Sequence, residues 1–295
     1  MKILRAVDEV RRELAPVRRQ QRSIGLVPTM GALHEGHLSL LAAARERCDL
    51  VVISVFVNPT QFGPDEDLEA YPHGEARDAE LALEAGVDYM YAPAVAEVYP
   101  HGFATSVEVG GELVSVLDGD PQRRGPGHFR GVTTVVAKLF NTVEPDVAYF
   151  GQKDAQQAAV IKRMVADLDF GVEIAVMPTV REPDGLALSS RNAYLGGDER
   201  LRAAALYRAL ATIERAVANG TTDAQAALAA GLAELESAGI EPEYIEARDA
   251  ENLSEAQSFN GRPVLVAVAA HVGRARLIDN VVIGGPGGDD VAPVE

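Results

Sequence analysis

The residues best suited to chemistry are two imidazoles three positions apart in His34-Glu35-Gly36-His37. At the opening of an amphipathic helix, that spacing stacks them on one face of the first turn, where unpaired backbone N–H groups and the positive end of the macrodipole attract phosphate. The combination suits a nucleoside triphosphate. Before them, Ser23-Ile24-Gly25-Leu26-Val27-Pro28 reads as a buried strand, and Thr29-Met30-Gly31-Ala32 as a small-residue turn through which backbone can approach a ligand. After them, Leu38, Leu41, Ala42 and Arg45 mark a helix ending near Cys48-Asp49. Structural zinc is the competing chemistry, but the chain has one Cys, at the far end of that helix, and no second pair of side chains at ligand spacing. An isolated pair of surface histidines would need no role; the strand, glycine turn and helix start around this pair set it apart.

Those imidazoles need a scaffold, and the texture of the chain supplies one. Leu50 to Val57 is a near-continuous apolar run, as expected of a parallel strand covered on both faces, and it ends at Asn58-Pro59-Thr60-Gln61-Phe62. Strand, helix, strand in that order is a right-handed crossover unit whose ligands collect beyond the carboxyl ends of the strands, so Gln61 is expected to point into the ligand crevice. A helix over 77–86, a strand over 87–92, a helix over 132–141 and a strand over 148–150 continue the alternation. A second strand end then passes through Gly151-Gln152-Lys153-Asp154 into a helix over 155–168, with Lys153 at the rim, Asp154 suited to cap the helix, and Gln156 and Gln157 in its first turn. A third cluster follows the strand over 172–177: Asp184-Gly185 marks a turn, and Ser189-Ser190-Arg191 offers two hydroxyls and a bidentate cation for phosphoryl oxygens. Gly125-Pro126-Gly127-His128-Phe129-Arg130-Gly131 puts a further imidazole and guanidinium into a glycine-rich connection, which plain loop flexibility explains equally well.

From Asp198 onward the pattern changes to two alanine-rich amphipathic helices, over 198–218 and 223–238 with Asp223 as a cap, and then three strands over 244–247, 264–270 and 275–283. The expected class is therefore α/β: a Rossmann-like parallel sheet over 1–178 carrying the histidine motif, plus a smaller C-terminal α+β domain over 179–283. The tail over 284–295, rich in Gly and Asp, has nothing to bury and is expected to be disordered. A net charge of -17 would repel a polyanion over most of the surface, which argues against nucleic acid as a partner and for a small phosphate ligand. No apolar stretch approaches the length of a membrane span, and Met1-Lys2-Ile3-Leu4-Arg5 runs into a charge-rich helical pattern without a secretory core, so the cytoplasm is the expected compartment.

Taken together, Val27 through His37, Phe56 through Phe62, Phe150 through Gln157 and Asp184 through Asn192 closely resemble the pantoate-beta-alanine ligase family, within the nucleotidylyltransferases that carry the His-x-Gly-His motif. The resemblance runs from about residue 1 to Ile283 and includes Arg276-Leu277-Ile278-Asp279-Asn280. It implies an ATP-dependent ligation in which the pantoate carboxylate attacks the α-phosphate to give pantoyl adenylate and pyrophosphate, after which beta-alanine displaces AMP to form pantothenate. By the same resemblance, Met30, Gly31, Ala32, Leu33, His34, Glu35, Gly36 and His37 form the first ATP segment, with His37 as the catalytic proton donor. Gly151, Gln152, Lys153 and Asp154 form the second; Val180 contacts the adenine side; Leu188, Ser189, Ser190 and Arg191 form the third, over the phosphates. Gln61 and Gln157 hold pantoate, Gln61 also meets beta-alanine, and Asp78 matches a carboxylate associated with Mg2+. A homodimer is implied as well. The family commonly has Arg-Pro-Gly-His-Phe where this chain has Gly125-Pro126-Gly127-His128-Phe129, with Arg124 displaced by one position.

The residues are chemically apt for that reaction. A carboxylate nucleophile with a pKa of about 4 is ionised at neutral pH and needs no general base. His34, His37, Lys153, Arg191, the serine hydroxyls and a magnesium ion could stabilise the charge that builds on the phosphoryl oxygens and the departing pyrophosphate. Glutamines bind a hydroxy acid without adding negative charge that would repel it. Because an adenylate is labile to water, the second domain is expected to act as a lid, carrying Ser189-Ser190-Arg191 just beyond a hinge near 177–182. The competing readings are another nucleotidylyltransferase, acting on a phosphorylated alcohol or a nicotinamide nucleotide, and a nucleotide sensor without turnover. The second-substrate groups Gln61 and Gln157 speak against the sensor.

Overall fold

In the computed structural model, which describes residues 1–63, 68 and 74–284, the aliphatic runs become strands and the amphipathic stretches between them helices. In chain order the first elements are β1 (Lys2–Leu4), α1 (Val7–Arg19), β2 (Ile24–Thr29), α2 (Glu35–Arg47), β3 (Leu50–Val55), α3 (Glu75–Glu84), β4 (Tyr89–Tyr91), α4 (Val95–Val98), α5 (Pro126–Val143), β5 (Val147–Gly151), α6 (Ala155–Asp167) and β6 (Glu173–Met177). Their six strands form one sheet in the order β1-β4-β3-β2-β5-β6, every neighbouring pair parallel.

Strand periodicity decides the layering. On one face Ile24, Leu26, Leu50, Val52, Ala148 and Phe150 pack with Val10 and Leu14 of α1, Val136 of α5 and Ile161 of α6. On the other, Val27, Val51, Ile53, Val147 and Tyr149 pack with Leu40, Leu41 and Ala44 of α2 and Ala82 of α3. With both faces covered, residues of both parities are mostly apolar, Ser54 of β3 being a buried exception, and each buried Val, Leu or Ile contributes about 1.5–3 kcal/mol. The order also reverses: β3 and β4 extend to one side of β2, and β5 and β6 to the other. In open parallel sheets ligands bind beyond the carboxyl ends of the strands at such a reversal, here that of β2 and β5.

The chain divides into two compact units. The first holds Met1–Gln152 and Val160–Val180; the second holds Lys153–Ala159 together with the described residues from Arg181 on. Lys153–Ala159, which the sequence assigns with the parallel sheet, thus group with the second unit. That unit contains α7 (Gly197–Ala203), α8 (Ala205–Ala218), α9 (Ala224–Ser237) and an antiparallel sheet of β7 (Pro242–Asp249), β8 (Val264–Val272) and β9 (Ala275–Ile283). Its own core joins Leu206, Leu210 and Ile213 of α8 and Leu235 of α9 to Val266, Val268 and Leu277 of the sheet. Asp223 caps α9, its carboxylate accepting from Ala226 N at 2.7 Å.

Three local expectations are corrected. Residues 2–4 are a strand, not the approach to a helix: three residues are too few to show a period, and pairing with β4 buries Leu4. The helix expected over 198–218 is interrupted at Ala204, although alanine favours helix; Ala203, Ala204 and Ala205 are all buried, so packing sets the break. The segment before residue 132 is no flexible connection, because α5 starts at Pro126 and already contains His128, Arg130 and Gly131. Proline at the first helical position is favourable, whereas Gly127 and Gly131 mask the helical signal. Among the described residues no helix is long and apolar enough to cross a membrane. Residues 285–295 of the expected tail lie outside the described residues.

Candidate functional site

The chain leaves β2 through a turn that is pinned from within. Thr29 Oγ1 donates to Ser54 O at 2.8 Å and accepts from Gly31 N at 3.2 Å. The buried Asp78, 2% exposed, accepts from Ala32 N at 3.0 Å through Oδ2 and from Leu33 N at 2.8 Å through Oδ1. Both Gly31 (φ +90°) and Ala32 (φ +52°) lie in the left-handed region, and a Cβ on Gly31 would sit 2.8 Å from Asp78 Oδ2. Glycine is thus required at 31 by both conformation and space, and the Asp78 carboxylate holds a turn that Ala32 would otherwise resist. The sequence reads this turn as one through which backbone can approach a ligand; in the structure the amides of Gly31, Ala32 and Leu33 donate to Thr29 and Asp78.

His34 is the N-cap of α2 and His37 its third residue, with ring centroids 4.1 Å apart. His34 Nδ1 accepts from Gly36 N at 3.1 Å, and His37 Nδ1 lies 3.4 Å from His34 N. A neutral imidazole accepting through Nδ1 carries its proton on Nε2, so both rings turn an N–H donor away from the backbone. Two donors side by side at the positive end of a 13-residue helix are a phosphate-binding arrangement.

Beyond β3, the 3-10 turn Pro59–Gln61 brings Gln61 to the same end of the sheet. Its Nε2 lies 3.1 Å from Met30 Sδ, and its Oε1 accepts from Asn58 Nδ2 at 3.1 Å. Asn58, buried, accepts in turn from Tyr99 Oη at 2.8 Å and Thr60 Oγ1 at 2.9 Å. Burial raises the pKa of Tyr99, which keeps its hydroxyl a donor. With Oε1 held by Asn58, the amide of Gln61 is oriented so that its NH2 group is the end directed at Met30.

The main chain of Gln61 is fixed too. His128 Nδ1 lies 2.7 Å from Gln61 O and its Nε2 lies 3.1 Å from Arg124 Nη1. Since a carbonyl only accepts and a guanidinium only donates, the ring carries its proton on Nδ1. Gly131 lets α5 pass close by: a Cβ there would fall 2.4 Å from Thr60 O and 2.7 Å from Gln61 N. Gly131→Ala is accordingly expected to displace the Gln61 turn and to destabilise the chain by about 1–3 kcal/mol. Urea denaturation and the KM for the Gln61 ligand check this; unchanged values for both would mean the backbone yields without cost.

In the second unit, Lys153 lies in the 3-10 turn Gln152–Asp154 that leads into α6. Its side chain is 18% exposed, with Nζ 3.9 Å from Asp154 Oδ1, and Asn280 Nδ2 donates to its main-chain carbonyl at 2.9 Å. Asp154, expected to cap the helix, is the last residue of that turn. Gln156 is buried and Gln157 half-buried in the first turn of α6. The segment after Arg181 is braced twice. Arg200 binds Asp184 at 2.6 Å and Glu182 at 2.7 Å, and its hydrogen bond holds the Asp184 carboxyl below the usual carboxylate range. Arg181 pairs with the buried Asp279 at 2.6 and 3.0 Å and donates to Gly185 O at 3.0 Å. Beyond the braces comes Leu188, then Ser189, which caps the 3-10 turn Ser190–Tyr194 by accepting from Arg191 N at 3.3 Å. Val180 ends the first unit, in the connection after β6.

Within the first unit the structure therefore brings together Met30, Gly31, Ala32, Leu33, His34, His37, Gln61 and Asp78. Within the second it assembles Lys153 with β9, and a braced loop bearing Ser189, Ser190 and Arg191. Sequence reasoning missed Asn58, Tyr99 and the Arg181–Asp279 pair. An Asn before Pro59 is a visible turn signal, whereas nothing local reveals a pairing 98 residues apart. Among the described residues no group of three His, Cys, Asp or Glu side chains could hold a metal ion.

Over residues 2–282 the chain matches the family described as pantoate-beta-alanine ligase. It is 52% identical over 283 residues to pantothenate synthetase 1 of Bradyrhizobium diazoefficiens, covering 96% of this chain and 98% of that protein. To the pantothenate synthetase of Moorella thermoacetica it is 54% identical over 284 residues, covering 96% and 99%. The crystal structure of pantothenate synthetase from Thermus thermophilus matches with a TM-score of 0.90 at 46% identity, over 95% of this chain and 99% of that one. That of pantoate-beta-alanine ligase from Francisella tularensis, complexed with beta-gamma ATP and beta-alanine, matches with a TM-score of 0.78 at 34% identity, over 96% and 97%.

Proposed function

The chain belongs to the pantoate-beta-alanine ligase family, enzymes that condense pantoate and beta-alanine with ATP, and on that premise we propose how its own residues share the reaction. In the first step the pantoate carboxylate attacks the α-phosphorus, the bond to the bridging oxygen of pyrophosphate breaks, and pantoyl adenylate forms. In the second the beta-alanine amine attacks the adenylate carbonyl, AMP leaves and the nitrogen gives up a proton. His34 and His37 donate to phosphoryl oxygens, with His37 as proton donor; Lys153, Ser189, Ser190 and Arg191 act on the same triphosphate. Met30 through His37, Gly151 through Asp154, Val180 and Leu188 shape the ATP site. Gln61 and Gln157 hold pantoate, and Gln61 also meets beta-alanine. The observation that carries this reading is the pair of imidazoles at the start of α2, each with Nδ1 turned to backbone, beside a glutamine whose amide is oriented by Asn58. Preorganised donors in that position stabilise charge without rearranging as it develops.

Magnesium is proposed to arrive with ATP. Each Asp78 oxygen accepts one backbone N–H and keeps a further lone pair that could meet an ion; among the described residues no group of three His, Cys, Asp or Glu could hold it, so further oxygen ligands would come from the phosphates. Bound there, the ion would neutralise phosphate charge. A cytoplasmic location and a homodimer, implied by the family resemblance, belong to the same proposal; a monomer in analytical ultracentrifugation would remove the second.

Pyrophosphate release from ATP tests the function. It is expected to require pantoate, and addition of beta-alanine should yield AMP and an amide. Release that ignores pantoate would defeat the reading. Gln157→Ala is expected to raise the KM for pantoate by about 10-fold, the loss of about one to two hydrogen bonds to a charged ligand, while changing that for ATP far less. Equal changes for both would show that Gln157 does not face pantoate.

A further inference from the structure

The motif Arg276-Leu277-Ile278-Asp279-Asn280 has so far no part in the reaction. Neighbouring strand residues point to opposite faces, yet Asp279 and Asn280 on β9 are both buried, at 2% and 4% exposed. Asp279 takes both Arg181 nitrogens, and the same Arg181 Nη1 donates to Gly185 O at 3.0 Å, at the turn leading to Leu188 and the Ser189-Ser190-Arg191 loop. Asn280 N donates to Asp279 Oδ1 at 2.8 Å, while Asn280 Nδ2 donates to Lys153 O at 2.9 Å. Two adjacent residues thus tie the lysine's main chain, through one side chain, and the phosphate loop's turn, through the other, to one strand. A buried ion pair is weak evidence of a stabilising role, since apolar residues of similar volume often serve stability as well, which directs attention to what Asp279 and Asn280 hold in place.

We propose that Asn280 and Asp279 are positioning residues for the adenylation step: Asn280 fixes the Lys153 backbone, and Asp279, through Arg181, fixes the 185–191 turn, so that lysine, serines and arginine are presented as one preformed set. This rests on the reading of Lys153 as a phosphate-binding group. Displacement of such a group by about 1 Å can cost up to about 10²-fold in rate.

A double-mutant cycle on the full chain tests it, read as single-turnover pyrophosphate release with ATP and pantoate and followed long enough to capture a rate about 10³-fold slower. Asn280→Ala is expected to lower the rate by about 10-fold or more, with the KM for pantoate changed less than about twofold. In a Lys153→Ala background the same change should cost nothing further, because Asn280 acts through the lysine. Asn280→Asp, equal in volume, loses the donor to Lys153 O and should be as slow, and it carries the test if the alanine variant folds poorly. Equal losses in both backgrounds would mean a structural role and overturn the inference, as would a rate unchanged by Asn280→Ala while Lys153→Ala is slow. Lys153→Ala at the wild-type rate would instead remove the reading of Lys153, and this inference with it.

Discussion

His37→Ala and Lys153→Ala are each expected to slow pyrophosphate release by about 10²–10³-fold, the usual cost of removing one preorganised donor from a developing oxyanion. The effect should fall on adenylation itself, with rate and kcat/KM lowered together, because the charge these groups meet is largest in the transition state. Folding should be little affected. His37 stands in the first turn of α2 with its ring tilted against that of His34, and Lys153 keeps its side chain at a partly exposed rim, so neither deletion opens a cavity in the core. Far-UV circular dichroism in urea measures this in a chain without tryptophan. A midpoint lowered as much as by a core deletion would place these side chains in the scaffold, and a wild-type adenylation rate would strip them of their role.

Arg181→Ala is expected to destabilise the second unit by about 3–5 kcal/mol, because it leaves the Asp279 carboxylate buried without its bidentate partner. Arg181 also lies over the Tyr207 ring at 4.5 Å and anchors Gly185 O, and an alanine can do neither. The pH dependence has a definite sign. Burial raises the pKa of Asp279, and Arg181 opposes that rise. Without Arg181 the folded-state pKa moves higher still above the unfolded value. A group raised in this way stabilises the fold at low pH, where it is protonated, and that contribution is lost as the pH climbs through the folded-state pKa. The deficit of the variant should therefore be smaller in acid and widen as the pH rises beyond the ordinary carboxylate range. Urea midpoints of wild type and variant across that range test it; a deficit independent of pH would mean that the missing packing, not the stranded carboxylate, accounts for the cost.

The alternation of strands and helices was legible in the chain because a parallel sheet covered on both faces demands largely apolar runs, and 24–29, 50–55 and 147–151 are such runs. The candidate chemistry was legible for a related reason: His34-Glu35-Gly36-His37, Gln61, Lys153 and Ser189-Ser190-Arg191 each follow a strand or a turn, where local residue types announce a break in packing. Short or masked elements escaped. β1 is too brief to show a period, and the start of α5 is hidden by Gly127 and Gly131, the second of which gives room to Thr60 and Gln61 in another part of the chain.

What the amino-acid order determined by itself, then, was the candidate reacting groups and most of the elements that carry them, since helix and strand periods, caps and turns depend on neighbours within a few residues. Tertiary structure alone decided how those groups are held. Asp78 grips the turn at Ala32 and Leu33 from 45 residues away, His128 holds Gln61 across 67, and Asn280 holds Lys153 across 127. Buried polar groups must find partners wherever the fold brings them, and no local pattern records a hydrogen bond that closes only when distant strands and helices have packed.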